Sequence, residues 1–389
     1  ALAYRQPGSS IKPLVYATAF QEKSLNPGTL LLDIPTCFKM PNQADYCPKN
    51  YTGDFKGPIS VRQSLGNSLN IPAVKTISTI DVPTFMSRAK KMGITGWDDA
   101  SNYGPSIALG GGEVRMFDMA QSFGSLANLG INVPLNPILK IENYKSEVLK
   151  EFDVNETTED LKSMQEDEYS IRQGELERAM DAGPAYLVSH IMQDNTARVL
   201  AFGSNSQLVI RGQVVSAKTG TTNDLKDNWT IGFTPEFLTV SWVGNNDNTS
   251  MSYVASGVTG AAPIFNDIMS YVLRNQEPLW QEKPESVIKG PICASGFPPE
   301  LSEESCSVIG EEYYWKESSP SMSSKIEKEV WIKPETGLPP EYGEEAEGLI
   351  LERHAIYQDP VTELYCGDCN RAVDEEGKVI YEKHYVEQR

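Results

Sequence analysis

Three extended runs in quick succession, residues 213–222, 228–233 and 238–244, constrain this chain more than any other stretch. Rich in Val, Thr, Trp and Phe and separated by short turn segments, they read as consecutive strands of an antiparallel meander. Residues 261–274 follow as an amphipathic helix that closes this part of the chain. The first strand ends in Lys218-Thr219-Gly220-Thr221-Thr222. On a strand edge a cation and hydroxyls can hold a substrate carboxylate, while the glycine lets a ligand lie close to the backbone. An ordinary exposed strand end would use the same residue types, so this signal needs partners elsewhere in the chain.

The first partner is Arg5-Gln6-Pro7-Gly8-Ser9-Ser10-Ile11-Lys12-Pro13. If Pro7-Gly8 ends an extended segment and Ser9 opens a helix, Ser9 and Lys12 share one face. A serine hydroxyl becomes a nucleophile near neutral pH when a base takes its proton, and lysine serves when burial or a nearby cation depresses its pKa. Ser9 is the candidate nucleophile and Lys12 its base. Unpaired N–H groups at the helix start favour an alkoxide and later an oxyanion. Pro13 cannot donate a helical hydrogen bond, so the first turn is distorted or the helix begins later. The competing reading is a solvated helix start.

The second partner is Ser64-Leu65-Gly66-Asn67-Ser68-Leu69-Asn70-Ile71-Pro72. Val61, Leu65 and Leu69 keep helical spacing and Pro72 can open a following helix, which puts Ser68 and Asn70 in the turn between two helices. A serine there can relay a proton between base and leaving amine, and an asparagine amide can donate and accept toward a peptide. The competing reading is a pair of helix caps.

Other stretches read more plainly. Residues 29–35 form a short extended run, and 41–57 a long loop beside Cys37 and Cys47. Ala108-Leu109-Gly110-Gly111-Gly112-Glu113 lacks the Lys-Ser/Thr of a phosphate loop, so its glycines serve packing or a turn, with Met116, Met119 and Phe123 as core. Residues 147–181, rich in Asp and Glu, read as a solvated insertion or flexible loop. His190 lies on a helical stretch and would have to carry any Ser-His-Asp triad; with Ser9 and Lys12 present, a structural role is the simpler reading.

The net charge of −19 argues against nucleic-acid or anionic-lipid binding, either of which needs a basic face. No apolar run approaches a membrane span. The start, Ala1-Leu2-Ala3-Tyr4, looks like a cut inside a longer protein, with any anchor or export signal upstream. Six cysteines fall as three pairs close in sequence, Cys37/Cys47, Cys293/Cys306 and Cys366/Cys369, which suits local disulfides in an oxidising compartment. Zinc on Cys366-Gly367-Asp368-Cys369 competes with the third pair, but no second Cys-x-x-Cys or His pair is at hand to complete four ligands.

Taken together, Ser9-x-x-Lys12, Ser68-x-Asn70 and Lys218-Thr219-Gly220 resemble, in order, the three motifs of the penicillin-recognising serine acyltransferases. Their contexts, with Asn228-Trp229-Thr230-Ile231-Gly232-Phe233 and Val243-Gly244-Asn245, are similar to class A penicillin-binding proteins over residues 1 to about 275. The resemblance implies an α+β fold, an antiparallel sheet packed against helices, with the site between the sheet edge and the helical part. It implies a peptidoglycan D,D-transpeptidase outside the cytoplasm, at the outer face of the bacterial membrane. Ser9 would attack the bond between two D-alanines, Lys12 act as base, and Ser68 relay a proton helped by Lys218. Asn70 would orient the peptide, Thr219, Gly220 and Thr221 would line the carboxylate site, and the N–H groups of Ser9 and Thr221 would form the oxyanion hole. No cofactor or metal is called for.

The partners so implied are stem peptides as donor and amine acceptor, with β-lactams as inhibitors and no nucleic acid. Only eight residues precede Ser9, so the family's N-terminal strands, glycosyltransferase domain and membrane anchor are expected upstream. The expected layout is a transpeptidase domain at 1–275, a linker at 276–299 and a small Cys-containing, β-rich extension at 300–389. A D,D-carboxypeptidase, a β-lactamase or a single-turnover β-lactam sensor would share the three motifs. No Glu-x-x-Leu-Asn follows Asn70 to activate water as in class A β-lactamases, which favours an amine acceptor.

Overall fold

A computed structural model describes residues 1–40, 44–222, 224–251, 258–293, 308–318, 324–340, 347–361 and 363–381. Its centre is the helix Lys12–Gln21, buried from Lys12 to Phe20. The sequence KPLVYATAFQ has no polar face, and a helix apolar all round has to sit inside the core. Helices Asn70–Ile80, Val82–Lys91 and Ala182–Gln193 surround it.

The expected meander is present: strand Ser216–Thr221 pairs antiparallel with Asp227–Phe233, which pairs with Leu238–Gly244. All seven residues of the middle strand are buried, so both faces are covered. Period-two alternation divides it. Trp229, Ile231 and Phe233 join the main core with Phe123, whereas Ala217 of the neighbouring strand packs with Phe265 and Met269 of helix Ala261–Leu273. The Ser216–Thr221 strand is one edge of this three-stranded sheet and carries the Lys-Thr-Gly motif.

One open expectation is resolved and three change. The α-helix starts at Lys12, after a 3-10 turn over Gly8–Ile11, with Pro13 in the first turn where its missing donor costs little. Asn70 is the first residue of the helix Asn70–Ile80, not part of the preceding turn, because Pro72 is tolerated inside the first turn and need not open it. Residues 147–181 form no flexible loop: after an exposed strand Val148–Glu151, a helix Val154–Glu166 and a short hairpin are anchored by Met164 and Leu176 against Ile131, although the outer faces are solvated. Inside the stretch expected to be a linker, Val287–Cys293 is a strand paired with Val308–Trp315, and Val287 and Trp315 enter the main core.

The C-terminal strands Ser324–Ile332, Ile350–Gln358 and Leu364–Cys366 form a separate antiparallel sheet. It docks on strand Leu30–Asp33 through Tyr365, which packs on Leu32 and Ile34. At the same junction Lys75 is fully buried, 2.6 Å from Asp359 and 2.5 Å from Glu363. Removing the cation would leave the buried Asp359 carboxylate unpaired. Lys75→Met is therefore expected to destabilise the chain by about 3–5 kcal/mol at neutral pH, read as a lowered denaturant midpoint. The Cys37–Cys47 and Cys366–Cys369 pairs are bonded; Cys306 lies outside the described residues.

Candidate active site

Three backbone segments meet where the three motifs meet. Gly8 has φ +52°, and a Cβ there would lie 2.5 Å from the Thr221 carbonyl oxygen, so only glycine permits this approach. A Cβ on Gly220 would lie 2.3 Å from the Pro7 carbonyl. These two glycines let the Lys-Thr-Gly strand lie directly on the turn that carries Ser9. Trp229 Nε1 donates to the Gln6 carbonyl at 2.9 Å and holds the entry to that turn. The Gly110 region serves packing, as expected, by seating against Gly8.

The turn also separates its two serines. Ser10 is fully buried and donates its hydroxyl to the Pro7 carbonyl at 2.7 Å, closing the 3-10 turn. Ser9 remains partly exposed. Of the two, Ser9 is the one a ligand can reach.

Lys12 is 0 % exposed. Its Nζ donates to the Ser68 carbonyl at 2.6 Å and to Asn70 Oδ1 at 2.7 Å. Burial first, and then the Lys218 ammonium, hold its pKa well below the usual lysine value, while Asp33 works in the opposite direction. Lys218 Nζ donates to Ser68 Oγ at 2.7 Å and to the Thr219 carbonyl at 2.9 Å. Burial, reinforced by Arg198, lowers Lys218 to about 7. Two buried amines thus face one serine turn, and burial favours the neutral form of each.

Ser68 sits at φ +59°, a sparsely populated conformation for a residue with a side chain. That backbone aims its carbonyl at Lys12 and its hydroxyl at Lys218. Neither Ser68 nor Asn70 is a helix cap; the N-cap position is Leu69, with no side-chain bond. Asn70 Nδ2 donates to the Lys49 carbonyl at 2.6 Å, so both ends of its amide are engaged, one of them on Lys12. Asn70 therefore orients the amine, a role beyond the one expected of it.

Sequence reasoning missed the groups behind this layer. Asn50 Oδ1 accepts from the Asn70 backbone N–H at 2.8 Å, and Asn50 Nδ2 donates to both Asp33 carboxylate oxygens at 3.0 and 2.8 Å. Lys56 N–H also donates to Asp33, at 2.8 Å. Burial raises Asp33 to about 6 against these hydrogen bonds. Arg198, 2 % exposed, contributes only through its field on Lys218. His190 faces Arg62 Nη1 at 3.3 Å and stacks on Tyr313, and burial lowers it to about 4. It belongs to a packing contact with the strand Val308–Trp315.

Above about pH 6 the ionised Asp33 stabilises the Lys12 ammonium. Removing that charge makes Lys12 lose its proton more easily. Asp33→Asn is expected to move the rising limb of a pH–acylation profile to lower pH, by up to about one unit. A stopped-flow pH series with a chromogenic β-lactam checks the direction.

Residues 3–270 match the family described as the penicillin binding protein transpeptidase domain. The chain belongs to that family. Penicillin-binding protein 1A of Neisseria meningitidis serogroup A is 30% identical over 289 residues, covering 74% of this chain and 34% of that protein. Its counterpart in Rickettsia bellii is 30% identical, covering 73% and 36%. The chain thus spans about a third of the length of these curated relatives. Among solved structures, penicillin-binding protein 1A of Haemophilus influenzae aligns with a TM-score of 0.66 at 23% identity, over 82% of this chain and 49% of that one. PonA1 of Mycobacterium tuberculosis in complex with penicillin V aligns with a TM-score of 0.57 at 21% identity, over 72% and 73%. These likenesses show the fold, and the α+β architecture of a penicillin-binding transpeptidase is the one observed. Among the described residues no helix is long and apolar enough to cross a membrane.

Proposed function

We propose that this penicillin-binding transpeptidase chain is a serine D,D-transpeptidase that cross-links peptidoglycan stem peptides. The observation that carries the reading is the pair of hydrogen bonds from Lys12. A neutral amine has two N–H donors and one lone pair, and both donors are taken by the Ser68 carbonyl and Asn70 Oδ1. In this reading the lone pair that remains takes the Ser9 proton.

In this mechanism Ser9 Oγ attacks the carbonyl between the two terminal D-alanines as Lys12 takes its proton. The oxyanion develops toward the backbone N–H groups of Ser9 and Thr221. Lys218 keeps the Ser68 hydroxyl in place to pass the proton to the departing D-alanine amine. Thr219, Gly220 and Thr221 line the site for the terminal carboxylate. An amine of a second stem peptide then attacks the ester, closing the cross-link and freeing Ser9. A β-lactam enters as a donor mimic and stays attached because its leaving group is tethered.

We place this chemistry in residues 1–275 and treat 300–389 as an accessory extension, with 276–299 between them. The same reading puts the site outside the cytoplasm, with a glycosyltransferase domain and membrane anchor upstream in the full protein. The test is incubation with a D-Ala-D-Ala donor peptide and an amine acceptor, with products followed by mass. Amide product and D-alanine accumulating over many turnovers is the expected result. Hydrolysed donor alone would make it a carboxypeptidase, and one equivalent of D-alanine would make it a sensor.

A further inference from the structure

The objection to a metal at Cys366-Gly367-Asp368-Cys369 is a shortage of ligands within reach in sequence, and the fold removes it. Strand Ile350–Gln358 pairs antiparallel with Leu364–Cys366, with Ile356 opposite Cys366. Carried two residues past the strand end, that register sets His354 opposite Asp368. His354, Cys366, Asp368 and Cys369 accordingly bring one imidazole nitrogen, two sulfurs and one carboxylate oxygen within 4.8 Å of one another.

We propose that these four side chains form a Zn²⁺ site of Cys₂-His-Asp composition when the two cysteines are reduced. Tetrahedral zinc holds thiolate sulfur at about 2.3 Å and nitrogen or oxygen at about 2.0–2.2 Å, so its ligand atoms stand about 3.3–3.8 Å apart; the two sulfurs, bonded here, part on reduction, and the nitrogen and oxygen already lie within reach. The surroundings are those of a metal site. Cys366 is fully buried and Cys369 nearly so, while His354 stays partly accessible and Asp368 exposed on the open side. His354 turns Nδ1 toward Asp368 at 3.0 Å and Nε2 toward the Glu352 carboxylate at 3.3 Å. A carboxylate on the second ring nitrogen is the usual support of a zinc-bound histidine. The Cys369 N–H points at Cys366 Sγ at 3.2 Å, and the Gly367 N–H donates to the Ala355 carbonyl at 2.7 Å, so the backbone of the knuckle is already shaped around the sulfur. Two thiolates select zinc over magnesium or calcium.

The two sulfurs are bonded to each other in this structure, so the metal form follows reduction. A dithiol reductant gives two electrons and two protons, the Sγ–Sγ bond breaks, and the reductant becomes a disulfide. Zinc then displaces both thiol protons to solvent. Disulfide and zinc are alternative staples for one small core, Val330, Ile332 and Ile356 with the two cysteines. The zinc staple also ties in His354 on the neighbouring strand.

The test uses the full chain with Cys37, Cys47, Cys293 and Cys306 replaced by serine, so that only this pair can contribute thiolates. Zinc is titrated against a chromophoric chelator before and after phosphine reduction, and Co²⁺ serves as a spectroscopic probe. The expected result is one zinc per reduced chain and none on the disulfide form. Co²⁺ should show an intense thiolate charge-transfer band, and H354Q should weaken binding by at least about 10-fold to 100-fold. No zinc on the reduced chain, a Co²⁺ spectrum without thiolate bands, or an H354Q affinity equal to that of the parent would overturn the proposal. The Co²⁺ result on the parent stands even if H354Q fails to fold.

Discussion

Alanine at Ser9 is expected to abolish covalent acylation by penicillins and to reduce D-alanine release from a donor peptide by about 10⁶-fold. The loss is large because no neighbouring group can substitute. Ser10, the adjacent hydroxyl, is fully buried and committed to the Pro7 carbonyl. Ser68 Oγ is engaged by Lys218, from which it accepts at 2.7 Å. The fold should be indifferent to the change: Ser9 is partly exposed, and the approach of the Lys-Thr-Gly strand depends on Gly8 and Gly220. Intact-mass measurement beside a melting curve separates the two effects, with an unchanged melt and no adduct as the expected pair. An adduct of full mass on the alanine variant would move the nucleophile elsewhere.

Methionine at Lys12 is the second large effect. It keeps the stem and its packing but removes the base, and loss of a positioned general base costs about 10²-fold to 10⁴-fold in rate. The upper end is expected, near 10⁴-fold or about 5 kcal/mol of barrier, because the same amine organises the site. Without Nζ the Ser68 carbonyl and Asn70 Oδ1 both lose their donor. Second-order acylation rates by stopped flow give the magnitude. The pH dependence tests the cause: with the titrating base gone, the rising limb assigned to Lys12 should disappear from the profile. A surviving limb would assign it to another group.

The three motifs were legible in the sequence because each is local. Ser9 and Lys12, Ser68 and Asn70, and Lys218 to Thr221 each need only a turn or a strand end to bring their chemistry together, and the meander that carries the last is a strong period-two signal. The layer behind them was not. Asp33 reads only as part of a short extended run and Asn50 as an ordinary loop residue until the strand Leu30–Asp33 and the segment after the Cys37–Cys47 bridge are laid beside Asn70. Lys75 and Asp359 meet only because the C-terminal sheet docks on the transpeptidase fold, and nothing in either neighbourhood advertises the other. His354 reaches the cysteines through strand register, which a search for spaced ligands does not see. The acidic stretch 147–181 erred the opposite way: its composition correctly announces a solvated surface, but Met164 and Leu176 are enough to anchor ordered elements beneath it.

Ser9 as the acylated nucleophile is the claim on which the mechanism stands, and mass mapping of the unsubstituted chain after exposure to a penicillin tests it most directly. The expected result is one adduct of the whole penicillin mass per chain, carried by the peptide that contains Ser9, on a protein that melts cooperatively. No adduct on such a protein, or an adduct mapped to any other residue, would contradict it.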